Sequence, residues 1–277
     1  VLEAKDELGN TVLHLTVEKN VMDLETLRFL TEKHSAPLIK TNDLKQTIAR
    51  LAAKNGRLDI IKYIAEKKPF ILSKTDSYGG TVLHMANETD VMALIEFLEE
   101  KYHDEIPNWD QLDFGKVAIR AAIEFGHWKV LKYILEEKES DVDLANDLDE
   151  PPIFSALKCR RHDMLKYLVE DMKANLTILD ENNNNILYWA LRKDDLPAMK
   201  YVLDERKANI DVDWRNNYGN ALLHEAASMD RNNIIEYLVG QRHANVSLPG
   251  YEGSTPLHLA AFRINHEACK YLIEHGA

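Results

Sequence analysis

Eleven histidines and two cysteines are the residues of this chain that could support metal or nucleophilic chemistry. His224-Glu225 begins like the helix of a zinc protease, but the second histidine that such a helix needs four residues later is Ser228. His258 and His266 are eight residues apart, across a predicted helix break, which does not favour a shared metal. We therefore expect no metal site.

Cys159 is the candidate nucleophile, because Arg160, Arg161 and His162 follow it and nearby cations could lower the pKa of a thiol. A small side chain on a packed helix explains the same residue, and we favour that interpretation. The segment Tyr78-Gly79-Gly80-Thr81 is predicted to be a hairpin and lacks the arrangement of a phosphate-binding loop. We expect no catalytic residue, no cofactor and hence no enzyme.

The net charge of the chain is -12. A nucleic-acid binder usually presents a basic face, because phosphate contacts supply most of its affinity. The acidic balance therefore argues against nucleic acid or an anionic membrane surface as the partner and permits a basic protein. No apolar run of about 18 residues predicts a transmembrane helix. Two distant cysteines suit a reducing compartment, so we expect the cytoplasm, or a host cytosol if the protein is a secreted effector.

Four of the histidines close one short motif that recurs along the chain. The motif is Gly-Asn-Thr-Val-Leu-His at 9–14, and variants of it stand at 79–84, 219–224 and 253–258. We call its threonine position slot one. Eight copies, numbered in chain order, place slot one at Thr11, Thr47, Thr81, Val117, Pro151, Asn185, Ala221 and Thr255. Successive copies are 34 or 36 residues apart, so none is missing.

Further columns keep the same register. Slot six holds a small residue throughout, namely Thr16, Ala52, Ala86, Ala122, Ala156, Ala190, Ala226 and Ala260. The second half of each copy has a charged, an aromatic and an aliphatic residue in that order, as in Lys62-Tyr63-Ile64. We predict a first helix over slots two to eight, a turn such as Asn55-Gly56-Arg57, and a second helix. One such pair cannot cover its own apolar face, so the pairs must stack.

Two families have a period near 34 residues, and the motifs decide between them. Asp-x-x-Gly-x-Thr-x-Leu-His stands in full at 6–14 and 76–84, and Thr-Pro-Leu-His-Leu-Ala-Ala stands at 255–261. The Trp-x-x-Leu-Gly pattern of tetratricopeptide repeats does not occur. Over nearly its whole length the chain resembles an ankyrin-repeat protein. The resemblance implies an all-α fold, an ankyrin-repeat solenoid of stacked helix-turn-helix units with β-hairpin-like finger loops.

We expect a single domain over 1–277. Its repeats are predicted at 6–40, 42–75, 76–111, 112–145, 146–179, 180–215, 216–249 and 250–277. The resemblance implies that the slot-four histidines are structural hydrogen-bonding groups at the start of the first helix; they are His14, His84, His224 and His258. In the other four copies slot four is Arg50, Arg120, Phe154 and Tyr188.

In ankyrin proteins the partner binds a concave surface made by the finger tips and the exposed side of the first helix. Three residues before slot one, six of eight tip positions are apolar or aromatic, although a tip should be solvated. The preceding position is acidic in five copies. Each tip side chain could simply lean on its neighbour; alternatively, the tips anchor a partner. The predicted binding residues are Tyr78, Phe114, Asp113, Asp43, Leu44, Tyr218 and, at slot nine, Phe125.

The sequence therefore favours a non-catalytic scaffold for protein–protein interaction. Two alternatives remain: an inhibitor that blocks a partner enzyme, and a targeting or regulatory module of a larger enzyme, toxin, channel or secreted bacterial effector. We expect a protein partner with basic and apolar groups, no nucleic acid and no membrane insertion. We expect the chain to be a monomer or a part of a longer one.

Overall fold

The computed structural model describes residues 2–78, 80–102, 113–145 and 150–277, without the side chains of Tyr102, Asp113 and Phe114. The described residues form fifteen α-helices and no β-strand. They belong to two compact units, Val1–Asp147 and Leu148–Ala277. Each unit is a stack of helical copies, so the predicted all-α fold is confirmed.

The unit Val1–Asp147 contains copies one to four. Its first helices are α1 (Val12–Glu18), α3 (Ile48–Lys54) and α6 (Asp113–Phe125), and copy three has a 3-10 turn (Val82–His84) instead. Its second helices are α2 (Leu24–His34), α4 (Leu58–Lys67), α5 (Glu88–Tyr102) and α7 (Trp128–Lys132). A 3-10 helix (Pro69–Leu72) follows α4, and α7 continues as a π-helix (Tyr133–Glu137).

The unit Leu148–Ala277 contains copies five to eight and is more regular. Its first helices are α8 (Pro152–Lys158), α10 (Ile186–Arg192), α12 (Leu222–Ser228) and α14 (Pro256–Phe262). Its second helices are α9 (His162–Glu170), α11 (Leu196–Lys200), α13 (Asn232–Gly240) and α15 (His266–Glu274). The helix α11 continues as a π-helix (Tyr201–Glu205), and a 3-10 turn (Tyr251–Gly253) precedes α14.

Slot one is the residue directly before the first helix in seven of the eight copies. Threonine and asparagine favour this position because their side chains can accept a hydrogen bond from the first helical turn. Thr47 Oγ1 accepts the N–H of Arg50 at 3.3 Å, and Asn185 Oδ1 accepts the N–H of Leu187 at 3.1 Å. The register read from the sequence is therefore the register of the helices.

Copy four departs from this rule. Val117 has no side-chain oxygen that could cap a helix, and α6 extends back to Asp113. The prediction that Asp113 and Phe114 lie in a solvated finger tip is therefore wrong, because their backbone forms the first turn of α6. Their side chains lie outside the described residues.

Copy three also departs from the predicted pattern, since its first helix is reduced to the 3-10 turn Val82–His84. Asn87 stands at slot seven, which is apolar in every other copy. Its Oδ1 accepts the N–H of Asp90 at 2.9 Å, and its Nδ2 donates to Asp90 Oδ2 at 2.8 Å. These bonds cap the start of a helix. The second helix α5 therefore begins at Glu88, which is slot eight and would otherwise belong to the first helix.

The small residues of slot six lie where the first helices of neighbouring copies pack together. Contacts of this kind join α1 to α3 in one unit, and α8 to α10, α10 to α12 and α12 to α14 in the other. Ala52, Ala122, Ala156, Ala226 and Ala260 have no exposed surface. A side chain of one carbon lets the two backbones approach closely, as the column predicted.

The aromatic column of the second helices packs between copies. Tyr201 and Tyr237 are only 4% and 2% exposed. Their hydroxyls donate to Glu170 at 3.0 Å and Asp204 at 2.8 Å in the preceding copy, and burial together with these carboxylates raises the pKa of both tyrosines. Lys200 lies over the Tyr237 ring at 5.4 Å. The charged residue that precedes the aromatic residue in one copy thus lies over the aromatic ring of the next copy.

In every copy except copy three, the turn between the two helices has a left-handed backbone at slot ten. Gly56 and Gly126 occupy this position with φ of 65° and 77°. In copy eight the position is Ile264, with φ of 61° and a side chain that is 73% exposed. A β-branched residue is strained in this region of backbone space.

We expect Ile264→Gly to raise the free energy of unfolding by about 1 kcal/mol. Strain of about 1–3 kcal/mol disappears, and the entropic cost of glycine, about 0.5–1 kcal/mol, offsets only part of it. Urea denaturation followed by circular dichroism measures the change. The matched control is Ile273→Gly in α15, where a 60% exposed isoleucine has helical backbone and glycine should destabilise. An equal loss of stability in both variants would contradict the assignment of strain to Ile264.

Candidate functional site

The finger loops between the copies form the candidate site. Five of them are closed by an aspartate or asparagine five residues before slot one, as in Asp76, whose Oδ1 accepts the N–H groups of Tyr78 at 2.8 Å and Gly80 at 2.9 Å. The equivalent side chains that accept backbone N–H groups are Asp6, Asn42, Asp180 and Asn216. Such side-chain turns fix a loop without a strand. These five fingers therefore have a conformation that is fixed by hydrogen bonds within each finger.

Neighbouring fingers are joined by backbone hydrogen bonds. The N–H of Asp43 donates to the carbonyl of Leu8 at 3.1 Å, and the N–H of Ser77 donates to the carbonyl of Leu44 at 2.9 Å. These bonds hold Leu8, Leu44 and Tyr78 in successive fingers, with side chains 68%, 45% and 81% exposed. We call these three residues the tip row.

Of the predicted binding residues, the structure brings Asp43, Leu44 and Tyr78 together. Asp43 is exposed beside the tip row. Phe125 lies instead at the C-terminal end of α6, 48% exposed, with its ring edge-on to that of His84 at 5.8 Å between centroids. Phe125 therefore belongs to the helical side of this unit and not to the finger tips.

Tyr218 lies in a finger of the other unit, Leu148–Ala277, and is 60% exposed. Its finger is linked to the preceding one by the N–H of Asn217, which donates to the carbonyl of Asn182 at 2.9 Å. In the next finger Tyr251 is 58% exposed, and its N–H donates to Asn220 Oδ1 at 2.9 Å. This unit thus presents two tyrosines on adjacent fingers.

The slot-four histidines link a first helix to the next finger. His14 Nδ1 accepts the N–H of Thr11 at 3.3 Å, and its Nε2 donates to the carbonyl of Gln46 at 3.1 Å. His224 repeats the second bond to the carbonyl of Ser254 at 3.2 Å. A carbonyl can only accept, so Nε2 carries the proton in both rings.

The other two slot-four histidines differ at Nε2. His84 Nδ1 accepts the N–H of Thr81 at 3.0 Å, but its Nε2 faces Glu124 Oε2 at 3.3 Å. His258 accepts the N–H of Thr255 at 3.3 Å, and its side chain is exposed. All four rings thus hold the start of their own copy's first helical segment.

Arg50 replaces histidine at slot four of copy two and reaches the same neighbouring finger. Its Nη1 donates to the carbonyl of Thr81 at 3.1 Å, and its Nη2 pairs with Asp76 Oδ2 at 2.6 Å. The two charged side chains are 11% and 0% exposed. Gly80 makes room for this pair, since a Cβ there would lie 2.5 Å from Nη1.

Sequence reasoning missed a surface on the finger between copies six and seven. A pocket of about 240 Å³ has apolar walls of Leu179, Ile210 and Trp214, and among the described residues that line it Asp211 supplies the one carboxylate. We call it the Trp214 pocket. The available signal was the spacing of 36 residues between Asn185 and Ala221, two more than in the neighbouring copies of this unit.

Within the described part of the chain, no group of three or more metal-ligating side chains comes together. Cys159 and Cys269 form no disulfide bond. Among the same residues, no helix is both long and apolar enough to cross a lipid bilayer.

The family is decided by comparison with family models. A model described as ankyrin repeats matches residues 119–214, 172–249 and 209–277 in three overlapping copies, which together cover more than half of the chain. The chain belongs to the ankyrin-repeat family. Ankyrin repeats are generally non-catalytic modules of protein–protein interaction. Among curated proteins, no sequence matches this ankyrin-repeat chain.

The ion pair Arg50–Asp76 should stabilise this ankyrin-repeat chain only as a pair. We expect Arg50→Met to lower the free energy of unfolding by about 3–5 kcal/mol, because it leaves the buried Asp76 carboxylate unpaired. Adding Asp76→Asn should recover most of the loss, since Asn42 and Asn216 close equivalent fingers without a charge. Urea denaturation of the two single variants and the double variant measures the coupling. If the change in the free energy of unfolding of the double variant equals the sum of the changes in the two single variants, the prediction of coupling is wrong.

The buried histidines should make the ankyrin stack sensitive to mild acid. Burial lowers the pKa of His14 and His224 below the usual 6.5. The unfolded chain therefore binds more protons below about pH 6.5, and the free energy of unfolding falls as the pH drops from 7.5 to 6. Aspartate and glutamate titrate mainly below this window.

The test replaces both histidines with glutamine, which stays neutral and keeps an acceptor and a donor. We expect His14→Gln with His224→Gln to flatten the dependence of the urea midpoint on pH between 7.5 and 6. His266→Gln, at the exposed first position of α15, is the control and should leave the slope unchanged. An unchanged slope in the double variant would show that other groups cause the acid sensitivity.

Proposed function

We propose that this ankyrin-repeat chain is a non-catalytic scaffold that binds a partner protein through the tip row and the adjoining side of the first helices. The tip row carries the proposal: Leu8, Leu44 and Tyr78 are 45–81% exposed on loops that are otherwise polar. Neighbouring apolar side chains exposed in this way are typical of interaction sites. Because backbone bonds already hold the row, a partner would not have to order it.

The charge around the tip row indicates the chemistry of the partner. Glu7 and Asp43 are exposed directly before Leu8 and Leu44. Together with the net charge of -12, they favour a partner segment with apolar anchors flanked by basic side chains. Cys159 and Cys269 form no disulfide bond, which is consistent with a reducing compartment, and we propose the cytoplasm.

We expect Leu44→Asp with Tyr78→Asp to lower capture of the partner at least about tenfold, because apolar anchors carry much of an interface's energy. Affinity capture with quantitative mass spectrometry, using the purified chain as bait, measures the loss. The fold should survive, since substitutions at exposed tips usually change stability by no more than about 0.5 kcal/mol. Circular dichroism checks this point.

The matched control is Tyr218→Asp with Tyr251→Asp, which charges two exposed tips of the other unit. Capture that is lost only in this second variant would move the binding surface to the fingers of Leu148–Ala277. Capture that survives both variants would contradict binding through the finger tips. Assaying the captured partner with and without the chain then distinguishes a passive scaffold from an inhibitor.

A further inference from the structure

The Trp214 pocket forms where one finger is longer than its neighbours. In copies five to seven a buried or half-buried alanine lies three or four residues after the second helix. Its N–H donates to the carbonyl of the residue six positions earlier: Ala174 to Leu168, Ala208 to Val202 and Ala244 to Leu238. The length of each finger can be counted from this alanine to the Asp, Asn or Gly five residues before the next slot one. The distance is six residues for Ala174 and Ala244 but eight residues for Ala208. The two additional residues therefore lie within 209–215.

The longer finger creates an apolar concavity at its base. Ile210 and Trp214 form one side, and Leu179 of the preceding finger forms the other. The indole N–H of Trp214 donates to the carbonyl of Asn183 at 2.8 Å, which ties the ring to the preceding finger. Trp214 and Leu179 nevertheless remain 39% and 38% exposed, so a ligand could reach them.

Asp211 gives the pocket its charge. It is exposed, and its Oδ1 accepts the N–H of Asp213 at 2.9 Å. Arg206 pairs with Glu170 at 3.7 Å and Arg242 with Asp204 at 3.4 Å, and no cation of the described residues pairs with Asp211. The carboxylate is therefore available to a ligand.

The size and lining of the pocket select a type of ligand. A volume of about 240 Å³ is below the roughly 300–1,000 Å³ of pockets for drug-sized molecules and suits one side chain of a partner. Lysine and arginine combine an apolar stem with a cationic head, and tryptophan is the best aromatic partner for a cation. The chain itself shows this pairing, since Lys158 Nζ lies 3.8 Å from the centre of the Trp189 ring.

We propose that the Trp214 pocket binds a lysine or arginine side chain from an extended segment of the partner protein. The methylene stem packs between Leu179, Ile210 and Trp214, and the cation pairs with Asp211. This proposal rests on the proposed function in one respect, namely that the ligand is part of a protein. It does not depend on the tip row, which belongs to the other compact unit.

The test uses the whole chain and fluorescein-labelled Gly/Ser decapeptides with one central Arg, Lys, Leu, Gln or Glu. When binding is measured by fluorescence anisotropy, the affinity of the Arg and Lys peptides should be at least about fivefold higher than that of the Leu and Gln peptides. Added salt should weaken the binding of the Arg and Lys peptides. Asp211→Asn should remove the preference for Arg and Lys. Glu181→Gln, which removes an exposed carboxylate from the preceding finger, should keep it.

The second readout is the indole N–H signal of Trp214 in a nitrogen-15 NMR spectrum, assigned with Trp214→Phe. We expect the Arg peptide to shift this signal and the Glu peptide to leave it in place. Equal affinity for Leu and Arg peptides would make the site a general apolar pocket and overturn the proposal. An unchanged Arg preference in Asp211→Asn, or an unmoved Trp214 signal, would also overturn it.

These outcomes are separate from those of the proposed function. Leu44→Asp with Tyr78→Asp leaves the Trp214 pocket intact, so the peptides should bind this variant as they bind the unmodified chain. If the peptides bind and the tip variant still captures the partner, the proposal for the tip row is wrong and the proposal for the Trp214 pocket stands. If the tip variant loses the partner and the peptides do not bind, the proposal for the Trp214 pocket is wrong and the proposal for the tip row stands.

Discussion

The close approach of neighbouring first helices is the constraint on which the other features depend. Slot six allows it, because an alanine such as Ala226, with no exposed surface, adds a single carbon to the interface. Helices at this separation bring their fingers within hydrogen-bonding distance, so that the N–H of Ser77 reaches the carbonyl of Leu44. The fingers then present one tip each at a regular spacing. An exposed row of side chains is thus a consequence of packing that lies far beneath it.

The positions that recur in every copy serve this stacking. At slot four, the imidazoles of His14 and His224 bond to the next finger, and the guanidinium of Arg50 does the same in copy two. In the second helices, Lys200 covers Tyr237 while the tyrosine hydroxyl donates to Asp204. Residues that hold neighbouring copies together cannot vary to fit one partner without weakening the stack. Recognition must therefore use positions at which the copies differ.

The sequence predicted the register of the helices because a helix cap is a local signal: Thr47 and Asn185 stand directly before the helices they cap. It did not predict the length of the first helix in copy three. There Thr81 and Asn87 offer competing starts six residues apart, and a cap contributes about 1 kcal/mol in either place. Propensity cannot rank two such sites, because packing against the neighbouring copies decides between them. Exposed tips such as Leu44 and Tyr78 could be read from their fixed position three residues before slot one, whereas the Trp214 pocket depends on how a longer segment folds.

An insertion can change the surface of a repeat stack without disturbing its core if the bonds on both sides of it survive. The longer finger meets this condition. On the C-terminal side of residues 209–215, the N–H of Asn217 still donates to the carbonyl of Asn182 in the preceding finger at 2.9 Å. On the N-terminal side, the N–H of Ala208 donates to the carbonyl of Val202 at 3.1 Å. The two additional residues are accommodated between these links, where no helix packs against another, and loops tolerate such changes best. A side chain such as Trp214, pinned by its own hydrogen bond yet partly exposed, then gives one copy a chemistry that the others lack.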